Sequence, residues 1–458
     1  MEILALIPGI AALVVAFTRS PQQALIQVYL PVMLVLPEYY RWVAPGLPDP
    51  TFSQATILPI AAAFAARGGL AAWRFSLADG LVMGFAFFVG CSEYLNAGYK
   101  EAQNLMFDML AWVVLPYVLA KGLVEPQGLR VIFVRRLVFL LFCVSAISVY
   151  EFKFGATPYR LVLDRFFPWQ GMGWVTTFRW GFARVAGPYG HAILAGLILV
   201  VGYRLQRWLE WSGHWEPRFR WLPFQPFSKG RMITLGLLGG VLMTMCRGPW
   251  MGGALAAAIT VVGRARDRRR AVGIVLVLVV VVGLPALIAL WTYASVGRAA
   301  AKSVSQETAA YRKELIDKYV DIALEHSIWG WGRNTWPKLE SMPSIDNYFL
   351  LLAMMHGLVA LAFLGAVFVA MSVRLFRRGM RGPPQPEGTS LEFTLVGIYA
   401  AFGITLATVY MGNQVMPLFF LLTGWAEGYL CQGETVQAAG SPVSLPAPGA
   451  FRFRRILG

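Results

Sequence analysis

The sequence predicts an all-α polytopic membrane protein of about 12–13 transmembrane helices, and three observations carry that prediction. Of 458 residues, 57% are hydrophobic and only 14% charged, against about 25% charged in an ordinary soluble domain. The apolar residues gather into runs at 3–17, 22–36, 52–66, 77–91, 104–121, 135–152, 190–205, 231–246, 248–263, 271–294, 348–373, 391–411 and 416–430. None alternates polar and apolar residues as barrel strands do, so only helices can satisfy the backbone hydrogen bonds of these runs in lipid. A water-soluble enzyme is excluded.

The first run follows Met1-Glu2-Ile3 with no basic residue before it, which reads as a retained first span and not as a cleaved signal peptide. Basic residues then thread the chain. There are 40 Lys+Arg against 24 Asp+Glu, a net +16. In a soluble protein that excess points to nucleic acid; in a polytopic one it marks cytoplasmic loops. The segment 264–270 reads RARDRRR, 374–381 carries Arg374, Arg377, Arg378 and Arg381, and 204–231 adds six more basic residues. Placing all three in the cytoplasm agrees with the helix count between them. A single membrane domain then spans 1–430, and 431–458, with a Pro/Gly/Ser-rich stretch and Arg452, Arg454 and Arg455, reads as a disordered cytoplasmic tail. No internal repeat is apparent.

This threading leaves two long loops outside. The loop 295–347 holds seven basic and seven acidic residues, and 309–325 reads as an amphipathic helix with Leu315, Tyr319 and Ile322 on one face. The loop 153–189 carries Lys153, Arg160, Arg165, Arg179 and Arg184 against Asp164 alone, a net +4 that runs against the positive-inside trend. The four cysteines and four histidines show no metal-ligand spacing, so neither metal nor cofactor is expected.

Four segments line up on the external side: RVAGPYGHAILAG (184–196), CRGPWMGG (246–253), YRKEL followed by HSIWGWG (311–332), and SIDNYFLLLAMMHGL (344–358). In their order and spacing they resemble the bacterial O-antigen ligase and Wzy-type polysaccharide polymerase superfamily, over roughly 184–376. The resemblance implies a GT-C-like membrane glycosyltransferase in the bacterial inner membrane with its active site on the periplasmic face. Its donor is a glycan on undecaprenyl diphosphate, and an acceptor hydroxyl attacks the anomeric carbon. Arg247 and Arg312 match the family's functional arginines, with Arg184 a third. Guanidinium suits a diphosphate leaving group because it stays charged and binds phosphate oxygens bidentately. Asp346 stands where ligases carry His in S-x-H-N. The Asp-Asn form resembles polymerases, with Asp346 engaging the acceptor hydroxyl. A chain-length regulator is a further partner in such systems; nucleic acid is not.

Each residue also has a plainer reading. Arg247 and Arg184 can anchor helix ends at the headgroups, and Arg312 can be a solvated charge. Asp346-Asn347 can cap the helix that follows, and His191 can be a satisfied polar residue or a substrate contact. Asn347, Tyr348, Trp329 and Trp331 are candidate substrate contacts, the tryptophans equally an interfacial belt. Phe166, Phe167, Trp169, Trp174 and Trp180 read as interfacial anchors or an entrance lining. Glu93 and Glu101 read as solvated, His326 as a helix end and His356 as a packing group. A transporter or flippase of an anionic solute is the rival function, for which inverted repeats and midplane charges are expected. The glycosyltransferase reading instead requires Arg247, Arg312 and Asp346 to converge.

Overall fold

The computed structural model describes all residues except 1, 44–47, 72, 174, 175, 220–223, 225, 383–387, 413 and 439–458. The described residues are mostly helical, and every apolar run of the sequence contains helix. Among the described residues, six helices are long and apolar enough to cross a membrane: Leu77–Ala97, Tyr99–Leu123, Arg130–Phe154, Ala192–Trp211, Arg268–Ala294 and Tyr348–Arg381. The other apolar runs form helices such as Glu2–Thr18, Phe52–Ala66 and Leu391–Leu406, which at 1.5 Å per residue are shorter than a full bilayer core. The last helix, Val415–Ala438, runs past residue 430, where the sequence reading began its tail; Arg452, Arg454 and Arg455 lie outside the described residues.

Local chemistry explains the irregularities. Three π-helical turns, Leu25–Tyr29, Leu110–Val114 and Val279–Gly283, each run up to a Leu-Pro pair, at Pro31, Pro116 and Pro285. Proline brings no N–H and crowds the carbonyl four residues back, and a widened turn makes room for it. Small residues set the closest helix pairs. A Cβ on Gly252 would stand 3.0 Å from the Ala401 carbonyl oxygen, and one on Gly397 would stand 2.8 Å from that of Ala256. The helices Arg247–Arg264 and Leu391–Leu406 thus meet backbone to backbone.

Contacts sort the connections onto two ends. At one end Arg67 donates to the Phe17 and Arg19 carbonyls, Arg268 to those of Gly379 and Gly382, and Arg130 pairs with Glu125. This end holds the arginine-rich connections. At the other end Gln414 donates to the Leu36 and Pro188 carbonyls, and Gln170 bridges Glu2 and Arg41. Both long loops gather there. The helix Arg268–Ala294 stands apart, with none of its apolar window buried in the protein.

Candidate active site

The site is built around the three-residue turn 244–246. The helix Lys229–Met243 ends there and Met245 takes a left-handed φ of 50°, which reverses the chain into the helix Arg247–Arg264. Each turn residue holds an arginine from the loop before it. The Arg184 guanidinium reaches the Thr244 carbonyl (3.5 Å) and the Cys246 Sγ (2.8 Å), and Arg179 donates to the Met245 carbonyl (2.6 Å). Arg247 opens the new helix, exposed, and its Nη2 donates to the Ser305 hydroxyl (3.2 Å).

The arginine loop is fixed from below. Glu151, fully buried on the helix Arg130–Phe154, accepts the backbone N–H groups of Ala186 (3.1 Å) and Gly187 (2.8 Å). A short hairpin, Phe178–Arg179 paired with Phe182–Ala183, turns through Trp180 and Gly181, both at positive φ. Paired positive φ values suit a two-residue turn between twisted strands. The hairpin places Arg179 and Arg184 on the same side of the turn.

Arg312 comes from the loop helix Val304–Glu325. That helix buries Leu315, Tyr319 and Ala323 against Trp336, Met342 and Ile345. The Tyr319 hydroxyl donates to the Met342 carbonyl (2.7 Å) and Tyr311 to that of Ser344 (2.9 Å), which lays segment 339–345 along the helix. Asp346 follows directly and comes within electrostatic reach of Arg312. Its carboxyl is accessible to water yet crowded by protein, and this burial pushes its pKa above the usual value while the Arg312 charge opposes the rise. Arg312 in turn is held below the ordinary arginine value by burial and by Arg247, with Asp346 acting against both.

The neighbours close into a ring. Arg179 is lowered by burial and by the charges of Arg184 and Arg247. His191 is pushed down to about 4 by burial and by Arg184. Its Nδ1 accepts the Ile193 N–H (3.2 Å), so the neutral ring carries its proton on Nε2. Tyr410 packs edge-on to His191 at 6.0 Å between centroids, and its pKa is raised by burial and by Asp346. Arg247, Arg312 and Asp346 therefore converge, with Arg184, Arg179, His191 and Tyr410 completing the circuit. Of the four guanidinium groups, Arg312 is the one whose charge reaches the Asp346 carboxylate. Arg312 has no hydrogen bond or ion pair with any described residue, and Arg247 has the single bond to Ser305.

Other candidate contacts have structural work instead. The Asn347 side chain, not Asp346, caps the helix Tyr348–Arg381 by accepting from Phe349 (3.1 Å) and Leu350 (3.3 Å), so its oxygen is spent. Tyr348 is buried in the main core. Trp329 stacks on Phe88 at 4.5 Å, and the Trp331 ring N–H donates to the Ile322 carbonyl (3.0 Å). Neither tryptophan shares a contact with the arginines. They dock the loop onto a break at Gly357 (φ 78°, ψ 174°), where the N–H groups of Trp331 and Gly332 reach the Met354 and Met355 carbonyls. A Cβ at Gly357 would sit 2.0 Å from the Ile328 carbonyl oxygen. His356, one residue before the break, contacts Ser92 at 3.1 Å, and His326 lies against Trp331.

The sequence reading took Glu93 and Glu101 as solvated. Glu93 is in fact fully buried and accepts the Arg333 N–H (2.8 Å), while Glu101 and Asp108 flank the Arg333 guanidinium. Phe167 is buried between Tyr40 and Phe52; Phe166, Trp169 and Trp180 are exposed, and Trp174 lies outside the described residues. Arg179, Tyr410 and Glu151 were not singled out by sequence. Arg179 was counted in the +4 loop, which is the one signal that touched it.

Residues 232–365 match a family model described as O-antigen ligase. The matched segment includes Arg247, Arg312 and Asp346, and stops short of Arg179, Arg184 and His191 on one side and Tyr410 on the other. The match supports the O-antigen ligase and Wzy-type superfamily. No curated protein matches the sequence.

Proposed function

On the premise that residues 232–365 form an O-antigen ligase-type segment of a multi-pass membrane protein, we propose that the chain is a glycosyltransferase polymerising undecaprenyl-diphosphate-linked repeat units. The carrying observation is the arginine ring: guanidinium groups crowded together, with no ion pair closed among the described residues, beside one carboxylate. Crowded like charges are unfavourable until an anion joins them, and a diphosphate supplies that anion.

In the proposed reaction Arg247 and Arg312 hold the diphosphate and Arg184 assists. The acceptor hydroxyl oxygen attacks the anomeric carbon, the bond from that carbon to the diphosphate oxygen breaks, and the electron pair leaves with the lipid diphosphate. The hydroxyl proton passes to the Asp346 carboxylate. The raised pKa of Asp346 makes it a better base than an ordinary carboxylate. His191, neutral with a proton on Nε2, is suited to donate a hydrogen bond and not to carry positive charge. The arginine field replaces a metal ion.

The positive-inside pattern supports placing this end of the molecule at the periplasmic face of the bacterial inner membrane. A second reading, transfer of the glycan to lipid A-core, is favoured by the description of the matching family. Reconstitution with lipid-linked oligosaccharide, with and without lipid A-core, separates the readings. A ladder of lipid-linked products supports polymerisation. Transfer to lipid A-core alone gives the ligase, and movement of the intact substrate across the bilayer without new glycosidic bonds gives a transporter.

A further inference from the structure

We infer that the hairpin Phe178–Ala183 is a membrane-seated finger that presents Arg179 as a fourth ligand to an anion anchored in the bilayer, a polyprenyl diphosphate and not a free phosphate. The inference rests on the reading of the arginine ring as a diphosphate site. It assigns a residue and a structural element outside the matched family segment.

Three observations carry it. The hairpin packs at the end of a candidate membrane span: Phe182 stacks on Phe152, in the last turn of Arg130–Phe154, with centroids 5.0 Å apart and planes 5° apart. Its outward side chains are aromatic and uncovered, with Phe178 64%, Trp180 70% and Phe182 50% exposed. Aromatic groups exposed at the end of a span partition into the headgroup layer, where an apolar ring and a polar edge are both accommodated. Arg179, alone among the residues 178–182 in its charge, turns inward instead. It spends one N–H on the Met245 carbonyl and has no other hydrogen bond or ion pair with the described residues.

The electrostatics point the same way. The charges that reach Arg179 are those of Arg184 and Arg247, with the Cys246 thiol beside them and no carboxylate among them. A guanidinium folded against two others, with four of its five donors unspent, is a group waiting for an anion. The finger reaches that anion from the lipid side, so the aromatic seat matters when the diphosphate arrives on a lipid and not when it is dissolved.

The test measures binding to full-length protein in phosphatidylcholine nanodiscs, with undecaprenyl diphosphate and inorganic pyrophosphate as separate probes. Arg179→Gln keeps a donor for the Met245 carbonyl and removes the charge. It is expected to weaken both probes by about tenfold or more, as loss of a charge-assisted hydrogen bond does. The double variant Phe178→Ser, Trp180→Ser is expected to weaken undecaprenyl diphosphate and leave pyrophosphate unchanged. Undecaprenyl diphosphate binding unaltered in Arg179→Gln overturns the assignment of Arg179. A double variant that binds both probes as the parent does, or loses both equally, overturns the membrane seat. Arg312→Ala, measured alongside, distinguishes the levels: if it loses undecaprenyl diphosphate while Arg179→Gln does not, only the present inference falls. If neither loses it, the diphosphate reading falls too.

Discussion

Arg312 and Asp346 stand within electrostatic reach of each other without closing an ion pair. Asp346 is the acid whose charge reaches Arg312, yet Arg312 forms no hydrogen bond or ion pair with any described residue. A closed pair at this position would leave neither charge for a substrate. An open one keeps the guanidinium for an anion and the carboxylate for a proton.

The pH dependence of turnover follows from this pair. Burial raises the Asp346 pKa and Arg312 opposes it, so the carboxylate ionises at a higher pH than an ordinary aspartate. The base of the proposed reaction must be ionised, and activity is therefore expected to fall as pH drops through that value. In Arg312→Gln the opposing charge is gone, the pKa rises further, and the acid limb of kcat/KM moves to higher pH. A limb that stays in place in this variant rules out Asp346 as the titrating base.

Among the described residues the Arg247 side chain bonds to Ser305 alone, which leaves most of its planar fork for an anion. Arg247→Ala is expected to lower kcat/KM by about 10–100-fold, from the ~1.5–3 kcal/mol of a charge-assisted hydrogen bond. Arg247→Lys should recover little of it, because ammonium keeps the charge and loses the planar fork. Ser305→Ala should be nearly silent. Steady-state kinetics on the three variants checks the ordering.

How much of this was legible in the sequence depended on the range of the contacts involved. Apolar runs announce helices through composition, and Arg247, Arg312 and Asp346 sit in segments whose spacing marks them. Arg179 escaped because its meaning comes from Met245, 66 residues away, and Tyr410 because its neighbours are His191 and Asp346. Asp346-Asn347 looked like one capping pair, and only coordinates divide it into a cap at Asn347 and a free carboxylate. The tryptophans of W-G-W-G were open between sugar stacking and an interfacial belt for a related reason. A backbone docked into a helix break leaves no periodic signature, so the packing of Trp331 was not visible in the sequence.

That docking can be tested at the break itself. Gly357 holds a backbone conformation open essentially to glycine alone, and Gly357→Ala adds ~1–3 kcal/mol of strain before its clash with the Ile328 carbonyl. The variant should unfold several degrees lower in detergent and lose turnover. Trp331→Phe forfeits the bond to Ile322, about 1 kcal/mol, and part of the ring contact with His326, and should keep substrate affinity. A large rise in KM for Trp331→Phe would return that residue to the substrate site.

In the proposed mechanism the arginine ring supplies positive charge where the diphosphate leaves, so turnover is expected to persist in excess EDTA. Among the described residues no cluster of three His, Cys, Asp or Glu is arranged to hold a metal ion. Activity abolished by EDTA and restored by a divalent cation would overturn the metal-free mechanism.

Glu151 shows how far the site's support extends. It touches none of the proposed reacting groups, yet both of its carboxylate oxygens hold the backbone two and three residues beyond Arg184. Glu151→Gln replaces one acceptor by an NH2 group facing a backbone N–H, leaving a buried donor unpaired at a cost of about 1–3 kcal/mol. The variant should melt lower and turn over more slowly. If Glu151 acts through the position of Arg184, the two cannot be lost independently: Glu151→Gln combined with Arg184→Ala should lose little more turnover than Arg184→Ala alone. Additive losses in that double-mutant cycle would show that Glu151 supports the site by some route other than Arg184.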